Sequence, residues 1–365
     1  MDKWPPIAPE LGISRVEWEG RMRYQSDSKK MKFQARGQQA SKVRSLVSSL
    51  SLVSTLSLVS TLSLSAMLLA PAAAVADEWF QSPFGPDDTL GAVNRLTPEG
   101  AVAASRLVKE GKVYQLGMVS GPKTHAYGPR RFQMIVHQLA DGTGTAMGST
   151  GTVGNDDTVI TSVGIGSQLD GLGHIGRDHV YYNNHKAADV VAPDGLKKLG
   201  THLLPGIVTR GVCLNMAAYF GEKTLPAGKA YTEADIRGAA KKQGITIKEG
   251  DVVLLHSGYM TATKDLPELV PGEPGLGVSG AEYLAKLGVV AVGADSWALE
   301  ALPSEDPNQA FPVHQILLAR HGVYILENMV TQPLVDDGVD EFMFVLGVPK
   351  LEGAVQAIIN PLAIR

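Results

Sequence analysis

One cysteine, Cys213, stands among 365 residues, so no intrachain disulfide can form. The run around it, IVTRGVCLNMAAYF, is apolar and reads as the setting of a buried, inert thiol rather than an activated nucleophile. An excess of either charge is also missing. With 33 Lys and Arg against 37 Asp and Glu, and basic residues scattered after residue 80, the chain carries no electrostatic footprint for nucleic acid. The glycine-rich run DGTGTAMGSTGTVGNDD (141–157) lacks both G-x-G-x-x-G and the terminal G-K-[ST] of a phosphate loop. It reads instead as a mobile loop beside a pocket, ended by Asp156 and Asp157.

What is present begins with a targeting pattern. Lys29, Lys30, Lys32, Arg36, Lys42 and Arg44 precede a repeated hexad, SLVSSL SLVSTL SLVSTL SLSAML, and then LAPAAAVADEW. A basic region, an apolar region and a small-residue end make a secretory signal cut after Ala76, without a twin arginine or a cysteine for lipidation. An uncleaved membrane anchor is the competing reading. Met31 is a candidate true start, which would make residues 1–30 an extension. The expected product is periplasmic or secreted, with residues 1–76 as extension and signal and residues 77–365 as one catalytic domain, since no Pro- or Ser-rich linker interrupts the latter.

The remainder reads as mixed α/β. TPEGAVAASRLVKEG (97–111) has an N-cap threonine, Pro-Glu in the first turn and a closing glycine, which predicts a helix. The same grammar returns in YTEADIRGAAKKQG (231–244), and SGAEYLAKLG (279–288) predicts another helix. VHQILLARHG after Pro312 predicts a short helix stopped by Gly322. Buried strands are expected over 252–257, 289–294 and 323–327, each ending in polar groups, where α/β folds usually place chemistry.

Chemistry-bearing residues gather in GIGSQLDGLGHIGRDH (164–179). If SQLD ends a strand, Gln168 and Asp170 project from one face, and His174 can fold back over them across two glycines. His314 falls in the first turn of its helix and Glu327 closes the next strand, so a helix–turn–strand return can bring those two together. Carboxylate, imidazole and amide oxygen are ligands for a divalent cation. Each has a plainer alternative: Asp-Gly is a common turn pair, His174 could be a hydrogen-bonded loop residue, and His314 could decorate a helix surface. His179, His185, His256 and His321 read as structural or rim residues, the last suited to a helix C-terminus. Asp295 and Ser296 read as capping groups or as neighbours of the site. Trp297, Trp79, Phe80, Tyr181 and Tyr182 are candidates for an aromatic pocket, with core packing as the alternative.

The run G-S-Q-L-D-G-L-G-H resembles the H-x-G-T-H-x-D-x-x-x-H motif of the metal-dependent cyclase family, which includes kynurenine formamidases, isatin hydrolases and dienelactone hydrolase relatives. LGAVNRLTPE, YNN, GIVTRGVCLNMA, EGDVVLLHSGY, GADS and VHQILLARHGVYILENM look like further landmarks in the family's order. The resemblance implies a swivelling β/β/α-type mixed-sheet fold and a small-molecule substrate. It also implies a homo-oligomer, with no stable membrane association once the signal is removed. Carried over position by position, the family's metal ligands fall on Asp170, His314 and Glu327, and its catalytic histidine on His174. The motif's two earlier histidines are Gly164 and Gln168 here. One divalent metal ion, zinc or manganese, is therefore expected, held by those three residues and the Gln168 side-chain oxygen. The activity so implied is hydrolysis of an amide, lactam, lactone or ester. A metal-dependent lyase or cyclase, and a non-catalytic periplasmic binding protein on the same fold, stay open.

Overall fold

The computed structural model describes residues 78–137, 144–266 and 270–365. The signal segment, its cut after Ala76 and the alternative start at Met31 lie outside the described residues. Within them no helix is long and apolar enough to cross a membrane.

A nine-stranded mixed sheet organises the described residues. The strands relevant here are β1 (Val113–Gln115), β2 (Phe132–His137), β3 (Asp156–Thr161), β4 (Gln168–Asp170), β5 (Ile207–Asn215), β6 (Val252–His256), β7 (Ala291–Ala294), β8 (Tyr324–Glu327), β9 (Glu341–Leu346), β10 (Gln356–Ile358) and β11 (Leu362–Ile364). Their order across the sheet is β1-β11-β9-β5-β6-β7-β8-β4-β10, and β2 and β3 form a separate antiparallel hairpin. β5 to β8 run parallel, whereas β4 joins β8 antiparallel and β10 joins β4 antiparallel. Central parallel strands are covered on both faces and so read as continuous apolar runs. VVLLH in β6 and YILE in β8 are buried along their whole length.

Four helices matter for the site's surroundings: α1 (Pro98–Ser105), α2 (Glu233–Gln243), α3 (Val278–Lys286) and α4 (Pro312–His314). α2 follows its sequence grammar closely. Thr232 and Asp235 form a reciprocal capping box, and Gly244 closes the helix at φ 72°. α1 is shorter than the sequence predicts. Thr97 does cap it, accepting from the Gly100 N–H, but the helix ends at Ser105 rather than near Gly111. The N–H groups of Glu110 and Lys112 both donate to the Arg365 carbonyl, which draws this stretch into β1 against β11. Sheet pairing far along the chain thus overrides helix continuation. The helix after Pro312 also departs from expectation: α4 makes one α-turn and continues as a wider π-helical segment, Gln315–Arg320. Such local widenings are often found at functional sites. Asp156 and Asp157 open β3 rather than ending a loop. Of the glycine-rich run, residues 141–143 lie outside the described residues, and residues 144–155 connect toward β3 on the exposed hairpin.

Leu254 sits between Cys213 of β5 and Gly293 of β7 and is fully buried. Leu254→Ala is expected to lower the unfolding free energy by about 2–5 kcal/mol through lost burial and a residual cavity. Chemical denaturation checks this, and an unchanged midpoint contradicts the proposed packing of the central strands.

Candidate active site

Strand register, rather than proximity in sequence, assembles the site. On β4, Gln168 and Asp170 lie two residues apart and face one side. Opposite Asp170 stand Ile325 of β8 and Gln356 of β10, and opposite Gln168 stand Glu327 of β8 and Ile358 of β10. After β4 the chain turns sharply, with the His174 N–H donating to the Gly171 carbonyl at 3.0 Å. A side chain at 171 would meet the Val355 carbonyl at 2.6 Å, so only glycine lets the turn pass β10 this closely.

His314 is held from behind. Glu300 accepts from the backbone N–H groups of Val313 and His314, each at 3.3 Å, and lies 2.5 Å from His314 Nδ1. A carboxylate on Nδ1 fixes the proton there and turns Nε2 toward the sheet. Nε2 stands 3.3 Å from Glu327 Oε1 and 3.6 Å from Asp170 Oδ2. His174 Nε2 is 3.8 Å from the same Asp170 Oδ2. That oxygen is fully buried and has no hydrogen-bond partner. Asp170, His174 and His314 each offer one ligand atom, all mutually within 4.8 Å.

The structure therefore brings together all five residues singled out from the sequence. His174, expected as the base, belongs to the tight three-residue cluster. Glu327 reaches that cluster through His314. Gln168 turns its amide nitrogen, not its oxygen, toward the acids: it donates to Asp170 Oδ1 at 3.2 Å and to Glu327 Oε2.

Electrostatics follow from crowding three carboxylates around one imidazole. Burial, then the nearby negative charge of Asp170, pushes Glu327 up to about 8. Burial works against ionisation of Asp170 as well, but His174 and His314 together outweigh it and hold this carboxyl at about 2. For His314 burial opposes the cation, yet contacts with Asp170, Glu300 and Glu327 raise it well above its ordinary value. Burial lowers His174 more than Asp170 raises it, which favours a neutral ring.

A cavity of ≈ 130 Å³ opens onto this group, walled by Tyr127, Arg130, Ile175, Trp297 and Phe311. Tyr127 stacks on Trp297 with ring centres 5.4 Å apart. Of the five aromatics suggested by the sequence, only Trp297 lines it. Trp79 lies instead by Arg177 and Arg320, in a separate polar cavity. Phe80 and Tyr182 are buried, the latter donating to Asp88 at 2.6 Å, and Tyr181 packs against the core. Asp295, at the end of β7, caps the turn that follows the neighbouring β6, accepting from the Ser257 and Gly258 N–H groups. His256 is buried against Thr331, and His321 pairs with Glu282 rather than serving the helix end alone.

Comparison with known proteins agrees with this architecture. The model of the Cyclase family ("Putative cyclase") matches residues 101–301. The chain belongs to the Cyclase family. Among solved structures it resembles that of a novel cyclase at 28% identity and a TM-score of 0.70, over 80% of this chain and 100% of the other. Isatin hydrolase A from Ralstonia solanacearum shares the fold at 18% identity and a TM-score of 0.53, over 74% of this chain and 98% of its own. Isatin hydrolase A from Labrenzia aggregata, bound to benzyl benzoate, does so at 17% identity and 0.51, over 71% and 94%. No curated protein matches the sequence.

Within this Cyclase-family site, sequence reading missed Glu300, Gln356, Tyr127, Phe311 and Arg130. Glu300 carried a signal, as a lone acid in the apolar run WALEAL. The others carried none, because their roles come from pairing and loop packing.

Glu327 and His314 both hold protons more firmly when folded than when unfolded. The Glu327 contribution to the metal-free protein therefore declines as pH rises from 4.5 toward about 8, and that of His314 declines only above its ordinary 6.5. Asp170 acts oppositely, losing its contribution as pH falls from 3.8 to about 2. In chelator, the wild type is expected to lose melting temperature between pH 5 and 8 relative to Glu327→Gln, whose amide does not titrate. Added Mn²⁺ or Zn²⁺ should restore more at pH 8 than at pH 5, because a cation needs the deprotonated ligands. Parallel pH profiles for the two proteins contradict the assignment of Glu327.

Proposed function

We propose that this protein is an exported, metal-dependent hydrolase of a small-molecule amide, lactam, lactone or ester. The observation that carries the reading is Asp170 Oδ2: buried, without a hydrogen-bond partner and faced by two imidazole Nε2 atoms at 3.6 and 3.8 Å. An orphaned buried carboxylate oxygen is costly unless something positive completes it. A carboxylate oxygen beside the His314 imidazole, with further carboxylate and amide groups at hand, suits zinc or manganese. The residues present thus fit one divalent cation, with Asp170 and His314 as its principal holders and Glu327 and Gln168 at its flank. When bound, such a cation polarises the substrate carbonyl and acidifies water, as zinc does in carbonic anhydrase to about 7.

The chain's own residues supply the rest. His174, neutral and reachable from the cavity, accepts the proton of the attacking water at Nε2. It then returns that proton to the departing nitrogen or oxygen as the carbonyl C–N or C–O bond breaks. Glu300 keeps His314 in the tautomer that presents Nε2 inward. Tyr127, Trp297 and Phe311 exclude water and offer ring faces to a planar substrate, and Arg130, anchored at 2.8 Å on the Gly164 carbonyl, provides a fixed cation at the wall.

His174→Ala is expected to lower kcat by about 10²–10⁴ while leaving cation content intact. Assaying a panel of aryl amides, lactams and lactones in a pH-stat, with product mass, checks the reaction class. Gain of one water per turnover marks hydrolysis. Products of unchanged total mass mark the lyase or cyclase reaction instead, and purified protein free of zinc and manganese that ignores chelation marks a non-catalytic binder. Export and homo-oligomer assembly belong to the same proposal; N-terminal sequencing of secreted protein and light scattering check them.

A further inference from the structure

Gly164 shows a constraint that its backbone does not explain. It is absent from the glycines with positive φ, so other residues could adopt its conformation. What forbids a side chain there is Gln356: a Cβ on residue 164 would meet the Gln356 Oε1 at 2.2 Å, Cδ at 2.5 Å and Nε2 at 2.6 Å. Gln356 itself is buried on β10, directly opposite Asp170, and its Nε2 donates to Asp170 Oδ1 at 2.6 Å. Gln168 donates to that same oxygen at 3.2 Å. Both amides thus engage Oδ1, and Oδ2, which faces the imidazoles, is left without a donor.

We propose that Gln356 is a positioning and specificity residue that occupies the space beside Gly164 and locks Asp170 into offering one oxygen, Oδ2, to a bound cation. This rests on the reading of Asp170 as a cation ligand given above. Its consequence is selectivity. Calcium is satisfied by many oxygens and commonly takes a carboxylate through both of them, whereas zinc and manganese accept single carboxylate oxygens beside imidazole. A carboxylate whose second oxygen is held by two amides in a buried strand row cannot swing to chelate. The lock disfavours calcium without adding any ligand.

Length and polarity can be separated by mutation. Gln356→Met fills nearly the same space without a donor. Gly164→Ala leaves Gln356 in the sequence but pushes its amide away, and only the far end of a flexible side chain must move. Mn²⁺ and Ca²⁺ binding to the full chain is measured by calorimetry, with Mn²⁺ binding repeated by electron paramagnetic resonance and folding checked by thermal melts. Gln356→Met and Gly164→Ala should each weaken Mn²⁺ binding by about 10–100-fold, the usual effect of removing a partner that orients a metal ligand. The Mn²⁺-to-Ca²⁺ affinity ratio should fall in both. A merely structural role would weaken both cations alike or lower the melting temperature without changing the ratio. In Gln356→Ala, which vacates the space, adding Gly164→Ala should change little further.

Wild-type ratio in Gln356→Met overturns the inference while leaving the cation site standing. An equal effect of Gly164→Ala with and without Gln356 overturns the link between the two positions. Failure of the wild type to bind Mn²⁺, Zn²⁺ or Ca²⁺ overturns the reading of the site together with this inference.

Discussion

Everything around the site depends on one buried imidazole placed among carboxylates. His314 is enclosed by Asp170, Glu300 and Glu327, a grouping that costs several kcal/mol per ion to remove from water unless charges and hydrogen bonds compensate. Compensation is supplied in layers. Backbone N–H groups at the start of α4 steady Glu300, the amides of Gln168 and Gln356 steady Asp170, and Gln168 also reaches Glu327. Among these carboxylates, Asp170 Oδ2 is left without a hydrogen-bond partner.

Such an arrangement needs a rigid frame, which the edge of the sheet provides. Four parallel strands form the apolar centre, and β4 and β10 then add on antiparallel at one side. Reversal of direction there places a strand end, Glu327, beside a strand start, Gln168, so polar groups from three strands gather in two adjacent rows, Glu327 with Gln168 and Asp170 with Gln356. A shift of register by one residue would send Asp170 and Gln168 to the opposite face and dissolve both pairs. The π-helical segment after His314 and the glycine turn after Asp170 then bring both imidazoles over them from outside the sheet.

Local signals were readable wherever the cause was local. The capping box at Thr232, the glycine that ends α2, the apolar β6 and β7 and the strand closing at Glu327 all follow from neighbouring residues and appear as expected. The same-face placement of Gln168 and Asp170 followed from strand periodicity alone. Where distant pairing competes with local preference, reading failed: α1 stops early because the chain's last residue captures the backbone at Glu110 and Lys112. The aromatic wall was misjudged for a related reason. Tyr182 and Phe80 look equivalent to Tyr127 and Phe311 in sequence, and only packing decides which face the cavity.

By itself, then, the sequence determined the class of fold, Asp170, His174, His314 and Glu327 as the acids and imidazoles to watch, and the ordered landmarks that place the chain among the cyclases, because residue type and short-range spacing carry that information. Tertiary structure alone decided how those groups face one another. Gln356 comes to Asp170 across a strand pair, Glu300 reaches His314 from the loop before α4, and Gly164 matters only because an amide from residue 356 fills the volume beside it. Contacts made across strand pairs, by loop packing or, as between Asp170 and Gln356, over more than a hundred positions leave no periodic trace in a single sequence, and such contacts orient Asp170 and His314.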